Sequence, residues 1–386
     1  ELFWELPGEA VSRIRYEYHD HIAERFADAF ADTVGNWCKE HGIALTGHMM
    51  EEPTLETQTA ALGEAMRSYR SFEIPGIDML YDSRELNTAK QAQSAVHQYG
   101  REGMLSELYG VTGWEFDFRG HKLAGDWQAA LGVTVRVHHL TWTSMAGEAK
   151  RDYPASRLNT VLSRGKAVVK VGVIHPIESY WLYWGNKEQT QGLRDEMDER
   201  FKKLTERLLF GLTDFDFISE SLWKSQTPDD ALLSDEAFSV GKMKYETILV
   251  PNSLTLRSST LERLKVFQKK GGRVVFLGEL PRFIDAIPSD VAEVFSESCE
   301  KIHFAKENVL NVLQKERLLD VHDQSGMRTA NLIYQLREEK DREWLFFAHC
   351  NAMPNPDLPK REELVIEING IYEPDRYDAM TGECCE

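Results

Sequence analysis

The sequence lacks the short motifs that most directly announce a chemistry. It has no C-x-x-C pair, no H-E-x-x-H, no G-x-G-x-x-G or P-loop, and no G-x-S-x-G elbow around Ser106 or Ser144. Structural zinc, zincin-type, nucleotide-binding and serine-nucleophile readings therefore lose their usual support. The five cysteines (Cys38, Cys299, Cys350, Cys384 and Cys385) are odd in number and scattered. That suits neither a disulfide framework nor a zinc site, so reduced thiols and a cytoplasmic setting are the default. No run approaches the roughly 18 to 20 apolar residues of a membrane span. No signal peptide is visible either, but the chain opens on Glu1 rather than Met, which leaves secretion open. Basic residues are in deficit: 45 Lys and Arg against 63 Asp and Glu give a net charge of −18. A polyanion is repelled by such a surface, which argues against nucleic acid or an anionic membrane as partner.

What is present is a soluble-protein composition, 42% hydrophobic and 10% aromatic, over 386 residues. That length accommodates two or three domains. Ile22, Phe26, Phe30, Val34, Trp37 and Cys38 recur at helical spacing and predict an amphipathic helix over about 20–41, closed by Gly42. The apolar run Ile43–His48 follows, then a segment ending at Gly76–Leu80, a helix over 86–99 closed by Gly100, and a strand Met104–Leu108. A helix near 120–131 leads into the alternating run Val133–Trp142. Strand and helix thus alternate about four times, the pattern of a parallel α/β architecture. Four such units are half of a (β/α)8 barrel, which alone leaves its edges unpaired. The expectation is a C-terminal half-barrel over 1–163 whose first half lies upstream.

A second α/β unit is expected over 164–322. The apolar run Val168–Ile174, a helix over about 190–210, strands at Phe215–Ile218 and Thr247–Val250, a helix opened by Ser259-Thr-Leu-Glu262, and Arg273–Gly278 predict a flavodoxin-like three-layer arrangement. From 323 to 386 alternating strands at Asn331–Leu336, Trp344–His349 and Leu364–Ile368 predict the start of a β-sandwich.

The chemistry is expected at the four strand ends of the first unit, where barrels of this kind gather catalytic side chains. Glu107 stands out: it ends an apolar run, and a carboxylate beside a core has to be paired, hydrogen-bonded or protonated. A turn-capping or Arg-paired Glu explains an isolated S-E-L equally well. Around it the first strand end supplies His48, Glu51 and Glu52, the second Asp78 and Asp82, the third Tyr109 and Trp114, and the fourth His138, His139 and Trp142. Two carboxylates flanked by aromatic rings are what glycoside hydrolysis needs: one protonates the leaving oxygen while the other attacks or activates water. Flat rings suit the C–H faces of a sugar. Each residue has an ordinary reading too. Glu51 and Glu52 before Pro53 suit a solvated loop, Trp114 and Trp142 suit a core, and alternation sends only one of His138 and His139 inward. No metal is expected, because no spacing along the chain selects one.

Ser94-Ala-Val-His-Gln-Tyr-Gly100, Leu105-Ser-Glu-Leu-Tyr-Gly110 and Trp114 resemble the seventh-strand region of α-L-rhamnosidases of glycoside hydrolase family 106. Gly132–His139 fits the eighth strand and Ile74–Asp78 the sixth. His175-Pro-Ile-Glu-Ser179 and Phe215–Glu220 are similar to the flavodoxin-like trimerisation domain of family 42 β-galactosidases. The resemblance implies a glycosidase acting on a terminal sugar, with a rhamnoside favoured, a β-galactoside as runner-up and a non-catalytic sugar-binding protein as the other class. It implies Glu107 as nucleophile or base. Its partner is expected on an upstream strand unless Glu51 or Glu52 substitutes, and Glu52 is taken as that substitute. His48, Glu51, Asp78, Tyr109, Trp114, His138, His139 and Trp142 are then the sugar contacts. No cofactor is expected, although some related sites hold sugar hydroxyls with a divalent cation such as Ca2+. A homo-oligomer is left open. The chain departs from the pattern where Asp152-Tyr-Pro-Ala-Ser156 runs straight into Arg157-Leu-Asn, in place of a longer aromatic loop.

Overall fold

A computed structural model describes residues 1–8, 10–80, 83–112, 116–139, 163–227, 237–353, 355, 357, 361–378 and 384–385. Two parallel sheets carry most of it. The first has four strands in sequential order, β1 (Thr46–His48), β2 (Ile74–Asp78), β3 (Met104–Leu108) and β4 (Val133–His138). Parallel neighbours need crossover connections. Helices supply them: α3 (Leu55–Ala61) and α4 (Ala65–Tyr69) lead to β2, α5 (Leu86–Tyr99) to β3, and α6 (Phe118–Ala130) to β4.

The N-terminal helical segment differs from expectation in a way that explains itself. Helix α1 (Arg13–Phe26) starts earlier than 20, because the Ser12 hydroxyl caps it by accepting from the Arg15 amide. A π-helical turn over Ala27–Asp32 then joins it to α2 (Thr33–Glu40). The large apolar side chains read as its inner face are mostly outward: Ile22, Phe30, Val34 and Trp37 are exposed, and Cys38 alone of the six is buried. The buried stripe is instead Ala23, Ala27 and Ala31. Close approach selects the small residues. A Cβ on Gly63 would lie 2.6 Å from that of Ala23, and one on Gly35 2.6 Å from the Ser71 carbonyl oxygen.

The second sheet runs in the order Phe215–Ile218, Val171–Ile174, Thr247–Pro251, Arg273–Leu277, Glu300–Ile302, all parallel. Numbered along the chain this is 2-1-3-4-5, the flavodoxin-like winding. Its fifth strand, Glu300–Ile302, is short and largely charged and gives no apolar run to read. The helix expected from Ser259 begins at Ser258, with Asp285 accepting from the Ser258 amide.

The antiparallel part crosses the boundaries drawn from sequence. Leu332–Glu338 pairs with Glu343–His349 on one side and with Lys166–Ala167 on the other. The expected strand Val168–Ile174 is therefore shorter, Val171–Ile174, and Lys166–Ala167 just before it is a separate strand in another sheet. Leu319–Asp323, not anticipated as a strand, pairs with Leu364–Ile368.

Helix α5 lies between the two parallel sheets, and all its residues but Val96 and Tyr99 are buried. Some of its polar side chains are consequently paired with the second sheet and the residues leading into it. Lys90 Nζ is 2.8 Å from Asp214, and His97 Nδ1 is 2.9 Å from Asp216, which also accepts from the Tyr245 hydroxyl. No helix among the described residues is long and apolar enough to cross a membrane.

Candidate active site

Parallel pairing brings three side chains to one point. Asp78, last in β2, stands directly beside Glu107 of β3, while His48, last in β1, stands beside Gly76, two residues before Asp78. Side chains two apart share a face, so all three project from the same side of the sheet at its C-terminal edge. His48 Nε2 lies 3.5 Å from Glu107 Oε2. One ligating atom from each of His48, Asp78 and Glu107 lies within 4.8 Å of the other two. His48 and Glu107 are each about one-third exposed, so the cluster opens to solvent.

Burial pushes the Asp78 carboxyl above its ordinary range, and the Glu107 charge adds to this, against His48 and His139 on the other side. Asp78 Oδ1 is inaccessible to solvent and has no hydrogen-bond partner among the described residues. The backbone beside the cluster is unusual. Glu51, Tyr109 and Val111, none of them glycine, have φ of 65°, 70° and 60°. Left-handed backbone costs about 1–3 kcal/mol per residue and tends to collect at functional sites.

The other expected residues fall into separate groups. Glu51 is exposed, and its carbonyl accepts from the Thr57 hydroxyl. Glu52 is 4% exposed, with Oε1 3.3 Å from the Tyr69 hydroxyl, so its carboxyl sits in the core behind the cluster rather than at the open edge. The two histidines lie in different surroundings. His139 lies close enough to Asp78 for its charge to act there, whereas His138 packs 5.6 Å from the Tyr109 ring. Tyr109, expected to line a sugar pocket, is 8% exposed, lies 4.5 Å from the His121 ring at a 50° tilt and belongs to the apolar cluster under α6 with Leu108 and Ala124. Trp114, Trp142 and Asp82 lie outside the described residues.

One acidic residue was overlooked. Glu85 precedes α5 and accepts from Ser83 and Thr88, and burial raises its carboxyl, with Asp78 and Glu51 adding to that. Its position just ahead of a helix was the available signal.

Glu52 gives a pH prediction. Burial lifts its carboxyl to about 7 from an unfolded value of 4.5. The folded chain therefore holds the proton more tightly, so this group's contribution to stability is full below about 4.5 and is lost as pH rises through about 7. The total effect is on the order of 3 kcal/mol. Urea unfolding at pH 5 and pH 8 is expected to show a stability drop in the unsubstituted protein that Glu52→Gln lacks. Equal drops in the two proteins refute the assignment.

No protein-family model and no curated protein sequence matches the chain. Solved structures do match in fold. Gan42B, a GH42 β-galactosidase, aligns with a TM-score of 0.59 at 11% identity, over 98% of this chain and 67% of that one. A catalytic mutant of Gan42B from G. stearothermophilus aligns at 0.60 and 12% identity over the same shares. The apo exo-carrageenase GH42 from Bacteroides ovatus aligns at 0.57 and 11% identity, over 85% of this chain and 49% of that one. The mixed α/β architecture with parallel sheets is thus similar to that of GH42 enzymes.

Proposed function

We propose that this chain belongs to a glycoside hydrolase that removes a terminal sugar, with Glu107 as a catalytic carboxylate. The observation that carries the reading is the pairing of Asp78 and Glu107 beside His48 at the open C-terminal edge of a parallel sheet. In barrels, that edge is where the active site lies. Two carboxyl groups at this short separation suit a retaining rather than an inverting reaction. Asp78, partly buried and held above the ordinary range, is suited to carry a proton while Glu107 acts as the anion. Asp78 thereby takes the place first given to Glu52, whose carboxyl faces the core. The four-stranded sheet is read as part of a (β/α)8 barrel. An α-L-rhamnoside is favoured by the motif resemblance, and a β-galactoside by the fold likeness to Gan42B.

A panel of aryl glycosides, including α-L-rhamnoside and β-D-galactoside, offered to the intact gene product tests this. Cleavage of one of them identifies the sugar. A protein that binds sugars but cleaves no member of the panel refutes the enzymatic reading in favour of a carbohydrate-binding one.

A further inference from the structure

The loop that leaves the candidate active site is held from outside its own unit. His48 ends β1, and residues 49–54 carry the chain from it into α3 (Leu55–Ala61). Most carbonyls along this loop are engaged. Met49 accepts from His48 Nδ1 at 2.7 Å, Glu51 from the Thr57 hydroxyl at 2.8 Å, and Pro53 from Asn87 Nδ2 at 3.1 Å. Glu52 accepts from Gln58 and Gln91 Nε2 at 2.9 and 3.0 Å. A loop tied at so many points is a fixed wall rather than a lid. Two of its ties begin in the second unit. The first turn of a helix leaves its leading amides without partners inside the helix. In α3 the third of them, Thr57, is met by the Thr54 hydroxyl at 3.0 Å. The first two, Leu55 and Glu56, donate to Asp198 Oδ1 and Oδ2 at 2.5 and 3.3 Å. A carboxylate so placed makes charge-assisted bonds and complements the helix dipole. Separately, the Gln91 nitrogen donates to the Glu52 and Asn87 carbonyls, so its oxygen accepts from His175 Nε2 at 3.0 Å. His175 directly follows the strand Val171–Ile174.

We infer that Asp198 is a positioning residue: it fixes the loop over 49–56, and through it the His48 ring beside Glu107, so that the second unit sets the geometry of the active site. The role of that geometry in turnover rests on the hydrolytic reading. Asp198 acts at a distance, through the Leu55 and Glu56 amides, the loop backbone and the Met49 carbonyl that orients the His48 ring. The other ring nitrogen, Nε2, is thereby directed at Glu107 Oε2, 3.5 Å away. The same loop contains Glu51 at a φ of 65°, a conformation that surrounding contacts have to hold in place. Asp198 stands on the helix Lys187–Phe210, and the two preceding turns of that helix grip α3 as well. Arg194 and Gln191 reach Glu56 at 3.5 and 3.3 Å. Burial lifts the Asp198 carboxyl to about 6, with Glu56 and Asp195 adding to this and the two amides opposing it. Above that value it is the anion that the amides bind.

The test compares Asp198→Ala and Asp198→Asn in the intact gene product, with Glu199→Gln on the exposed side of the same helix as control. In Asp198→Ala, amide hydrogen exchange over 49–58 is expected to quicken at least about tenfold, the effect of losing charge-assisted bonds, and to stay unchanged in the strands. On the cleaved glycoside its kcat is expected to fall by about 10- to 100-fold with KM within a few-fold, because a displacement of about 1 Å costs up to about 10². Asn caps helices nearly as well as Asp, so Asp198→Asn is expected to stay within about threefold of the unsubstituted rate. Glu199→Gln should alter neither measurement. Unchanged exchange over 49–58 in Asp198→Ala overturns the inference, as does a kcat within about twofold. So does loss of the fold, or faster exchange throughout the chain, which would make Asp198 a residue of general stability. Local loosening in a protein that cleaves no glycoside removes the hydrolytic reading and leaves the loop anchor standing.

Discussion

Exchanging Glu107 for Gln is expected to lower kcat on the cleaved glycoside by about 10³-fold or more and to leave KM within a few-fold. The amide keeps the size and planarity of the carboxylate but can neither attack an anomeric carbon nor take a proton. Loss of a proton-transfer group costs roughly 10² to 10⁴, and 10³ corresponds to about 4 kcal/mol of transition-state stabilisation. An interaction used mainly in the transition state lowers kcat and kcat/KM together. The fold is expected to tolerate the change. The Glu107 side chain is about one-third exposed and its strand pairing is backbone-based. The substitution also removes the anion that helps hold Asp78 above its ordinary range. Its midpoint in urea should therefore match or slightly exceed that of the unsubstituted protein. A variant that keeps more than about a tenth of the rate would make Glu107 a structural residue.

The periodicity of the sequence exposed the alternation of strands and helices but not how the strands combine. Buried parallel strands read as continuous apolar runs, so Met104–Leu108 and Arg273–Leu277 were legible, while the charged edge strand Glu300–Ile302 was not. The run from Val168 to Ile174 is mostly apolar throughout, so composition alone does not show that its strand begins only at Val171. Only cross-strand pairing reveals that Lys166–Ala167 joins Leu332–Glu338. In the first helices, side-chain volume was misleading: contact with Gly63 requires Ala23, and the larger residues are turned outward. Glu107, His48 and Asp78 were legible as polar ends of apolar runs. Their convergence was not, because side chains on three separate strands have no fixed spacing along the chain. Tyr109 was drawn to the site by its proximity to Glu107, yet its left-handed backbone turns the ring under α6.

Replacing Arg67 by Met is expected to destabilise the protein by about 3–5 kcal/mol, the cost of breaking a buried ion pair from one side. The Arg67 side chain is 2% exposed and holds three parts of the chain at once. Its Nε lies 2.7 Å from Glu64 and 2.9 Å from the Ser221 hydroxyl, and its Nη1 donates to the Asp20 carbonyl at 2.9 Å. Its guanidinium also sits 5.5 Å from the centroid of the Trp181 ring. After the substitution Asp20 keeps Arg257 as a partner at 2.6 Å. Among the described residues Glu64 keeps only the Ser221 hydroxyl at 3.2 Å, with its Oε1 already lacking a partner there. The penalty therefore falls on Glu64, a carboxylate whose side chain is 1% exposed. Such a group relieves itself by binding a proton, which raises its folded pKa above the unfolded one. The sign follows: the variant's deficit should be smaller at pH 5 than at pH 8, because low pH supplies the proton that Arg67 no longer makes unnecessary. Adding Glu64→Gln to Arg67→Met should restore at least about 1 kcal/mol at pH 8, since removing both charges costs less than leaving one buried. Urea midpoints of the three proteins at the two pH values measure all of this. A deficit below about 1 kcal/mol, or one unchanged between pH 5 and pH 8, would mean that solvent reaches Glu64. The joint between α1, α4 and the end of the Phe215–Ile218 strand would then rest on packing around Trp181 rather than on this charge pair.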